Sequence, residues 1–193
     1  MLRMTTDTAG LPAAFTFTVR LNARLQPEHA QELFVDPLSA WLMEAGQGAV
    51  GLAEIGVTPD DEVQYVDLKV ALLDPEQTGT VVAALEELGA PVGSSVLLPG
   101  SPEQPFGQLQ GLGLYLDGVN LADEVYETCD PHEVFEQVGR AIDGIGDVCS
   151  FWQGETETAL YLYGPDAAAM EAAIAGFVAS YPLCQGARMV RVA

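Results

Sequence analysis

One short stretch of the sequence, "YETCDPHEVFEQVGR" (126–140), brings a thiol, an imidazole and several carboxylates within a few positions. Such groups could act as a nucleophile with its base, or as ligands of a metal ion. The letters "DPHE" at 130–133 also fit a helix start, with aspartate as the N-cap, proline at the first position and glutamate closing a capping box. The segment "DPEQ" at 74–77 has the same form without histidine or cysteine. We therefore interpret the motif as a helix cap.

The thiol of Cys129 is the one group in this stretch that the cap does not explain. It directly precedes the predicted helix, and the pKa of a cysteine can fall at a helix N-terminus. The nearby carboxylates of Asp123, Glu124, Glu127 and Glu136 would raise that pKa. These opposing effects leave the reactivity of Cys129 open, and we predict no catalytic residue.

Other patterns with chemical potential each have a structural explanation. The letters "GQGAVG" (46–51) match a dinucleotide fingerprint, but a helix is predicted before them and a strand after them, the reverse of the required context. The acids at 60–62 lack the spacing of a calcium loop and are predicted to form a solvated hairpin turn. His29 and His132 lie in different halves and lack metal-ligand spacing. No G-x-S-x-G motif occurs, so we predict no cofactor and no metal.

The charge balance of the chain is its most unusual property. The 193 residues include 28 acids and 7 bases, which gives a net charge of −21, and Lys69 is the only lysine. Half of the acids precede residue 99 and half follow it, so the excess is spread over the folded surface. Such a field repels nucleic acids and anionic membranes and attracts a basic protein. We therefore expect a basic protein partner, with no binding to nucleic acid or membrane.

The cysteines and the N-terminus indicate a cytoplasmic protein. Cys129, Cys149 and Cys184 are an odd number without C-x-x-C spacing, which favours a reduced compartment. The first residues lack the apolar run of a signal peptide, and no stretch is long and apolar enough to span a membrane.

The order of predicted elements is β-α-β-β-α-β, and it occurs twice. Strands are predicted at 15–25, 49–57, 62–72 and 94–98, with a helical region from Pro27 to about 46 that breaks at Asp36-Pro37, and a helix from Asp74. In the second half, strands are predicted at 108–118, 147–153, 156–164 and 187–193, with helices from about 131 and from Pro165 and a short helix in the insertion 119–129. The four helical regions each begin beside a proline. This pattern predicts an α+β fold, a tandem duplication of a ferredoxin-like unit.

The predicted domain boundaries follow from the same order. The first unit covers 1–98, with 1–13 flexible, and the second covers 108–193. The segment 99–107 holds three prolines and two glycines and is predicted to be a linker. Trp41 and the pair Phe151-Trp152 are predicted to lie in the core or at the domain interface, and an exposed aromatic on the second sheet would be a binding anchor.

The hairpin "DVCSFWQGETETALYLYG" (147–164) is rich in aromatics and acids. In this feature the second half resembles the regulator of ribonuclease activity B, a small acidic protein that binds a ribonuclease directly. The first half, through "LFVDPL" and "GQGAVGLAEIG", is similar to a pattern in uncharacterised bacterial proteins. The acidity and size also resemble those of immunity proteins of toxin systems. These resemblances imply a regulator that binds a protein, and no functional residue is carried over from them.

Three hypotheses of function follow. The leading one is a non-enzymatic binding protein of immunity or regulatory type that masks a basic toxin or nuclease with an acidic surface. The expected contact residues are Asp123, Glu124, Glu127, Asp130, Glu133 and Glu136. The second is a small-molecule-binding regulator or enzyme with its site between the two units, where Arg20, Arg24 and Arg140 could anchor an anion. The third is a structural subunit that forms a homodimer through an open sheet edge.

Overall fold

The chain folds into two β-α-β-β-α-β units, each of which pairs an antiparallel sheet with helices. A computed structural model describes residues 14–193, so the predicted flexible segment 1–13 lies outside the described residues. In both units the strands run in the order second, third, first, fourth across the sheet, which is the ferredoxin-like arrangement. The predicted α+β fold with a duplicated ferredoxin-like unit is therefore confirmed.

The first unit contains one five-stranded sheet and a helical layer. Its strands are β1 (Phe15–Leu21), β2 (Gly48–Val57), β3 (Val63–Leu72), β4 (Ser94–Leu97) and β5 (Gln104–Phe106), in the order β2-β3-β1-β4-β5. Its helices are α1 (Pro27–Ala30), α2 (Asp36–Ala45) and α3 (Thr78–Glu87), with a π-helical turn (Gln31–Val35) before α2 and a 3-10 turn (Pro75–Gln77) before α3.

The second unit contains one four-stranded sheet and three helices. Its elements are β6 (Gln110–Asp117), α4 (Asp123–Thr128), α5 (Pro131–Ala141), β7 (Asp147–Gln153), β8 (Glu157–Gly164), α6 (Ala167–Ser180), a 3-10 turn (Pro182–Cys184) and β9 (Arg188–Arg191). The strand order is β7-β8-β6-β9, and α4 confirms the short helix predicted in the insertion. Across residues 14–193, every helix is too short or too polar to cross a membrane.

Alternation of apolar residues determines which face of the first sheet is buried. Every second residue of β1 and β3 is apolar, so these side chains point to one face and meet the helices. Buried there are Phe17, Val19 and Leu21 of β1, Leu68 and Val70 of β3, Leu42 of α2, and Val81 and Leu85 of α3. Each such side chain contributes roughly 1.5–3 kcal/mol by leaving water.

The helical region of the first unit continues through Asp36-Pro37, so the predicted break at this pair is wrong. Proline lacks an N–H and its ring crowds the carbonyl four residues earlier, which normally ends a helix. Here the turn Gln31–Val35 is π-helical, and the Asp36 N–H donates to the carbonyl of Gln31, five residues earlier. Because the π-helical turn is wider, the helix continues directly into α2 at Asp36, with no loop between them.

Two segments rich in proline and glycine have defined structure. The predicted linker 99–107 requires correction, because Gln104–Phe106 forms β5 and pairs antiparallel with β4. Proline tolerates this place because β5 is an edge strand. In the glycine-rich segment 46–51 only the first two residues form the turn between helix and strand. The helix α2 ends at Ala45, and Gly46 has a φ of 63°, the left-handed conformation that glycine adopts at a helix end. The expectation that the later glycines also belong to the turn is wrong, because β2 begins at Gly48 and includes Gly51.

The second sheet is covered on both faces. One face packs on its own helices, where Leu112 and Leu114 meet Val138 of α5 and Ile174 of α6. The opposite face joins the core of the first unit. The side chains that make this contact are Tyr115, Trp152, Ala159, Tyr161 and Tyr163. The two units therefore share an interface along a whole sheet face, and this interface shapes the candidate site.

Candidate functional site

A single carboxylate oxygen joins the two units. Glu62 lies just before β3, and its Oε1 accepts hydrogen bonds from Arg24 Nη1 at 3.0 Å, Tyr115 Oη at 2.5 Å and Tyr161 Oη at 2.7 Å. The Glu62 side chain is only 16% exposed. The prediction of a solvated turn at 60–62 is therefore wrong for Glu62, because the second unit covers it, although Asp60 and Asp61 are exposed.

The same interface orders further polar groups. The Tyr163 hydroxyl accepts the backbone N–H of Arg24 at 2.7 Å, and the Trp152 indole donates to the Asp60 carbonyl at 3.1 Å. Burial raises the pKa values of Tyr115, Tyr161 and Tyr163. For Tyr115 and Tyr161, the hydrogen bond to Glu62 raises the pKa further, because it favours the protonated phenol. These hydroxyls therefore remain donors at neutral pH.

Ser150 of β7 supplies a second polar link between the units. Its Oγ accepts the backbone N–H of Gln26 at 3.1 Å and lies 3.0 Å from Nδ1 of His29. Gln26 precedes α1 and makes no side-chain cap of its own, so the serine satisfies a free donor near that helix end. Ser150 is only 3% exposed. We interpret the Ser150–His29 pair as structural, because a serine this deeply buried is a poor nucleophile toward an incoming substrate.

A groove of about 530 Å³ lies where the two units meet. The first unit lines it with the segment after β1, the α1 region and the segment after α3. The second unit lines it with Leu109, β7, Tyr163 and α5. The lining residues are Ala23, Leu25, His29, Glu32, Leu33, Phe34, Leu88, Gly89, Pro91, Leu109, Phe135, Asp147, Val148, Cys149, Ser150, Phe151 and Tyr163. This volume is in the range of small-molecule sites.

The groove combines an aromatic lining with two carboxylates. Phe135 and Phe151 are each 46% exposed, and Phe151 packs edge-on against His29 with ring centres 5.8 Å apart. Of the described residues that line the groove, only Glu32 and Asp147 carry a charge when His29 is neutral, and both are exposed. The site therefore offers apolar contact area, with negative charge supplied by both units.

The groove cysteine is not an activated thiol. Burial, with a smaller contribution from the Asp147 carboxylate, raises the pKa of Cys149 to about 11, so the group is a neutral thiol at neutral pH. Cys129 lies outside the groove and packs against the core of the second unit. Residues 14–193 contain no cluster of three His, Cys, Asp or Glu side chains that could hold a metal ion.

The acids predicted to contact a partner lie on α4 and α5. Asp123, Glu124 and Glu127 lie on α4, Asp130 caps α5, and Glu133 and Glu136 lie on α5. All except Glu133 are exposed. Glu133 accepts a hydrogen bond from Gln137 Nε2 at 2.6 Å, and Glu136 pairs with Arg140 at 2.7 Å. The structure thus places five exposed acids along two neighbouring helices.

The predicted helix cap at Asp130 is present, but its capping box is not. Asp130 Oδ1 accepts the N–H of His132 at 2.9 Å, as an N-cap does. The Asp130 N–H donates to the hydroxyl of Tyr181 at 3.1 Å, whereas the side chain of Glu133 engages Gln137. A tyrosine 51 residues along the chain thus takes the place that the sequence motif assigned to Glu133.

The arginines expected to anchor an anion already face carboxylates. Arg20 forms two hydrogen bonds with Asp67 at 2.7 and 2.8 Å and stacks on Tyr65. Arg24 and Arg140 pair with Glu62 and Glu136. None of the three lines the groove between the units, so the structure gives no support to their expected role as anion anchors. Among the six Lys and Arg residues within 14–193, Lys69 is the one without an ion pair, and it lies outside the groove.

Sequence reasoning placed a candidate site between the two units but did not identify the residues that line the groove, although it contained one signal for them. Neighbouring residues of a strand point to opposite faces, so Phe151 and Trp152 could not both be buried against the same layer. Trp152 is buried at the interface, whereas Phe151 is half-exposed at the groove. The predicted binding anchor, an exposed aromatic of the second sheet, therefore has a counterpart in Phe151.

Comparisons with known proteins give no assignment. No protein-family model matches the sequence, and no curated protein matches it. Similar solved structures include the ligand-free regulatory subunit of aspartate kinase from Thermus thermophilus (15% identity, 84% of this chain and 92% of that chain, TM-score 0.26), a heme-binding protein from the same organism (14%, 93% and 91%, 0.29) and the first two RRM domains of yeast poly(U)-binding protein (11%, 92% and 99%, 0.23). Scores this low support no inference about function.

Proposed function

We propose that this chain is a non-enzymatic binding protein that holds a small molecule in the groove between its two units. The groove itself carries the proposal: it has about 530 Å³ of space, a mainly apolar lining and a few polar groups. Pockets of this size and character, formed where two domains meet, are the usual form of small-molecule sites. This proposal keeps the binding part of the second sequence hypothesis, a small-molecule-binding regulator or enzyme with its site between the units, and does not use the arginines as anion anchors.

The polar links beside the groove support preorganised binding. Ser150 ties β7 to the start of α1, and Tyr163 ties β8 to the backbone of Arg24. Both Ser150 and Tyr163 also line the groove. A ligand would meet walls that are already held in place, so less of its binding free energy is lost to ordering the protein.

The chemistry of the groove favours binding over nucleophilic catalysis. Cys149 is held as a neutral thiol by burial, and the Ser150 hydroxyl is engaged with Gln26 and His29. The two carboxylates are on exposed positions of different units, and most of the remaining lining is apolar. These groups can orient a ligand, and none of them is activated for attack.

Two surface substitutions test this proposal. Phe135→Ser and Phe151→Ser each remove an aromatic wall at a half-exposed position, so the fold should persist. We expect wild-type protein to be stabilised against heat by at least one compound of an apolar metabolite library, and each variant to lose most of that shift. Met43→Ser is the matched control, since Met43 is 72% exposed and lies outside the groove. A library without any stabilising compound, or variants that respond like wild type, would contradict the proposal.

A second candidate function is the masking of a basic protein partner, as an immunity or regulatory protein does. The five exposed acids of α4 and α5 support it, and α5 also carries the half-exposed Phe135. Opposite charge would speed the encounter, and the aromatic side chain would add a desolvated anchor.

The masking function is tested by capture from the host at low and high salt. The triple variant Asp123→Asn, Glu124→Gln, Glu127→Gln should lose a partner that wild type retains at low salt. The control Glu54→Gln, Asp143→Asn, Glu155→Gln makes the same change in net charge at exposed positions elsewhere. Equal capture by both triple variants would assign the effect to overall charge and remove the α4–α5 surface from the proposal.

Two further expectations remain proposals. A cytoplasmic location is supported by the three free cysteines, two of which have a pKa raised to about 11 by burial.

A homodimer could form through β2, which is the outer strand of the first sheet and has an unpaired edge among the described strands. Light scattering on a size-exclusion column measures the mass and decides between monomer and dimer.

A further inference from the structure

We infer that the groove selects a ligand with a positive charge on an apolar body. This inference rests on the proposed function and adds to it the chemical class of the ligand. It combines three observations: the charges that line the groove, the aromatic rings beside them and the pairing of the chain's own cations.

With His29 neutral, the charged groups of the groove are all acidic. The titratable side chains that line it are His29, Glu32, Asp147, Cys149 and Tyr163. Cys149 and Tyr163 are neutral at neutral pH because burial raises their pKa values. Glu32 and Asp147 make no ion pair with any of the described residues 14–193. Two carboxylates from different units are therefore available to a cation in the groove.

The aromatic rings favour the same charge. The faces of phenylalanine and tyrosine attract a cation within about 6 Å, and this attraction grows as the cation leaves water. Phe34, Phe135, Phe151 and Tyr163 all line the groove. The Tyr163 hydroxyl accepts the N–H of Arg24, and the ring of this residue adds to the aromatic lining. An ammonium group between rings and carboxylates gains from both.

No cation of the protein competes for this place. Arg20, Arg24, Arg140, Arg188 and Arg191 are each paired with a carboxylate, and no lysine or arginine is among the described residues that line the groove. The net charge of −21 also raises the local concentration of small cations and lowers that of anions. A carboxylate or phosphate ligand would be repelled by the acids of the groove, and no lysine or arginine among its described lining residues would neutralise it. The charges of the protein therefore favour a cationic ligand.

A matched series of three probes tests the inference with the full chain. The probes share a naphthalene ring and differ in charge: 2-naphthylmethylamine is cationic, 2-naphthalenemethanol is neutral and 2-naphthylacetate is anionic. Binding is measured by calorimetry near neutral pH at low and at high salt. We expect the amine to bind about fivefold more tightly than the alcohol at low salt, the acetate to bind most weakly, and the preference to shrink as salt screens the carboxylates.

The double variant Glu32→Gln, Asp147→Asn should remove the preference for the amine while leaving the affinity for the alcohol unchanged. Glu54→Gln with Glu155→Gln is the control of equal charge change, and it should keep the preference. If the alcohol binds as tightly as the amine, the inference fails and the proposed function stands. If no probe binds and the Phe151→Ser variant responds to the metabolite library like wild type, both the inference and the proposed function fail.

Discussion

The hydroxyl of Tyr161 donates to the carboxylate of Glu62 at 2.7 Å, although the two residues are 99 positions apart and belong to different units. The same oxygen of Glu62 also accepts hydrogen bonds from the Tyr115 hydroxyl and the Arg24 guanidinium. One side chain thus satisfies three donors at a largely apolar interface. Because a buried donor that loses its acceptor is costly, this carboxylate constrains how the two sheets can pack.

Replacing Glu62 by alanine should lower the free energy of unfolding by about 3 kcal/mol, because it leaves Arg24 and two hydroxyls without their acceptor. Urea unfolding followed by circular dichroism measures the loss. Glu54→Ala is the control on the exposed side of β2, and it should change stability by less than about 0.5 kcal/mol. Equal effects of the two substitutions would show that the Glu62 cluster does not hold the units together.

The tyrosine contacts can be separated by a double-mutant cycle. Tyr161→Phe alone should cost about 1.5–3 kcal/mol, since it removes one hydrogen bond to a charged acceptor. In the background of Glu62→Ala the same change should cost much less, because the acceptor is already absent. Additive losses would mean that Tyr161 stabilises the protein through packing alone.

Stability should fall as the pH rises above about 10. Burial raises the pKa values of Tyr115, Tyr161 and Tyr163 above their ordinary value of 10.0, so the folded state binds more protons than the unfolded state in alkali. Their contribution is complete below the unfolded pKa and is lost as the pH rises through the folded values. Unfolding in urea at a series of pH values measures the slope, and Tyr161→Phe should make it shallower. A flat profile up to pH 11 would contradict this assignment.

Local pattern was sufficient for the elements but not for the interface. Alternation predicted β1 and β3, and the proline at each helical start predicted where the helices begin, because these signals lie within one turn or one strand. Glu62 carries no such signal. In the sequence it is the third of three consecutive acids, after Asp60 and Asp61. Only the hydrogen bonds from the tyrosines of β6 and β8 distinguish it from them.

Two errors have the same physical origin. Pro37 was expected to break a helix because the rule considers only the standard turn, whereas the π-helical turn before it removes the clash. Glu133 was assigned to a capping box because the motif considers only neighbours, whereas Tyr181 reaches the Asp130 N–H from the end of α6. In both cases longer-range packing selects an arrangement that the local rule does not include.

The thiol of Cys149 should react slowly with iodoacetamide at neutral pH and faster as the pH rises. Because its pKa is about 11, the thiolate fraction grows roughly tenfold for each pH unit between about 7 and 10. Peptide mapping by mass spectrometry follows each cysteine separately. 2-Naphthylmethylamine in the groove should slow the alkylation of Cys149 and leave that of Cys129, which lies outside the groove, unchanged. A rate for Cys149 that levels off below about pH 9 would indicate an activated thiolate.

Asp130 and His132 can be separated by their different effects on stability. Asp130→Ala removes the oxygen that accepts the His132 N–H, so it should cost about 1 kcal/mol, the usual value of an N-cap. His132→Ala keeps that backbone donor and should change the free energy of unfolding by less than about 0.5 kcal/mol. Asp74→Ala is the matched case, because Asp74 accepts the Glu76 N–H in the same geometry at the 3-10 turn before α3. If His132→Ala proves as costly as Asp130→Ala, the imidazole has a role beyond the cap, and the motif would again have to be considered as a site.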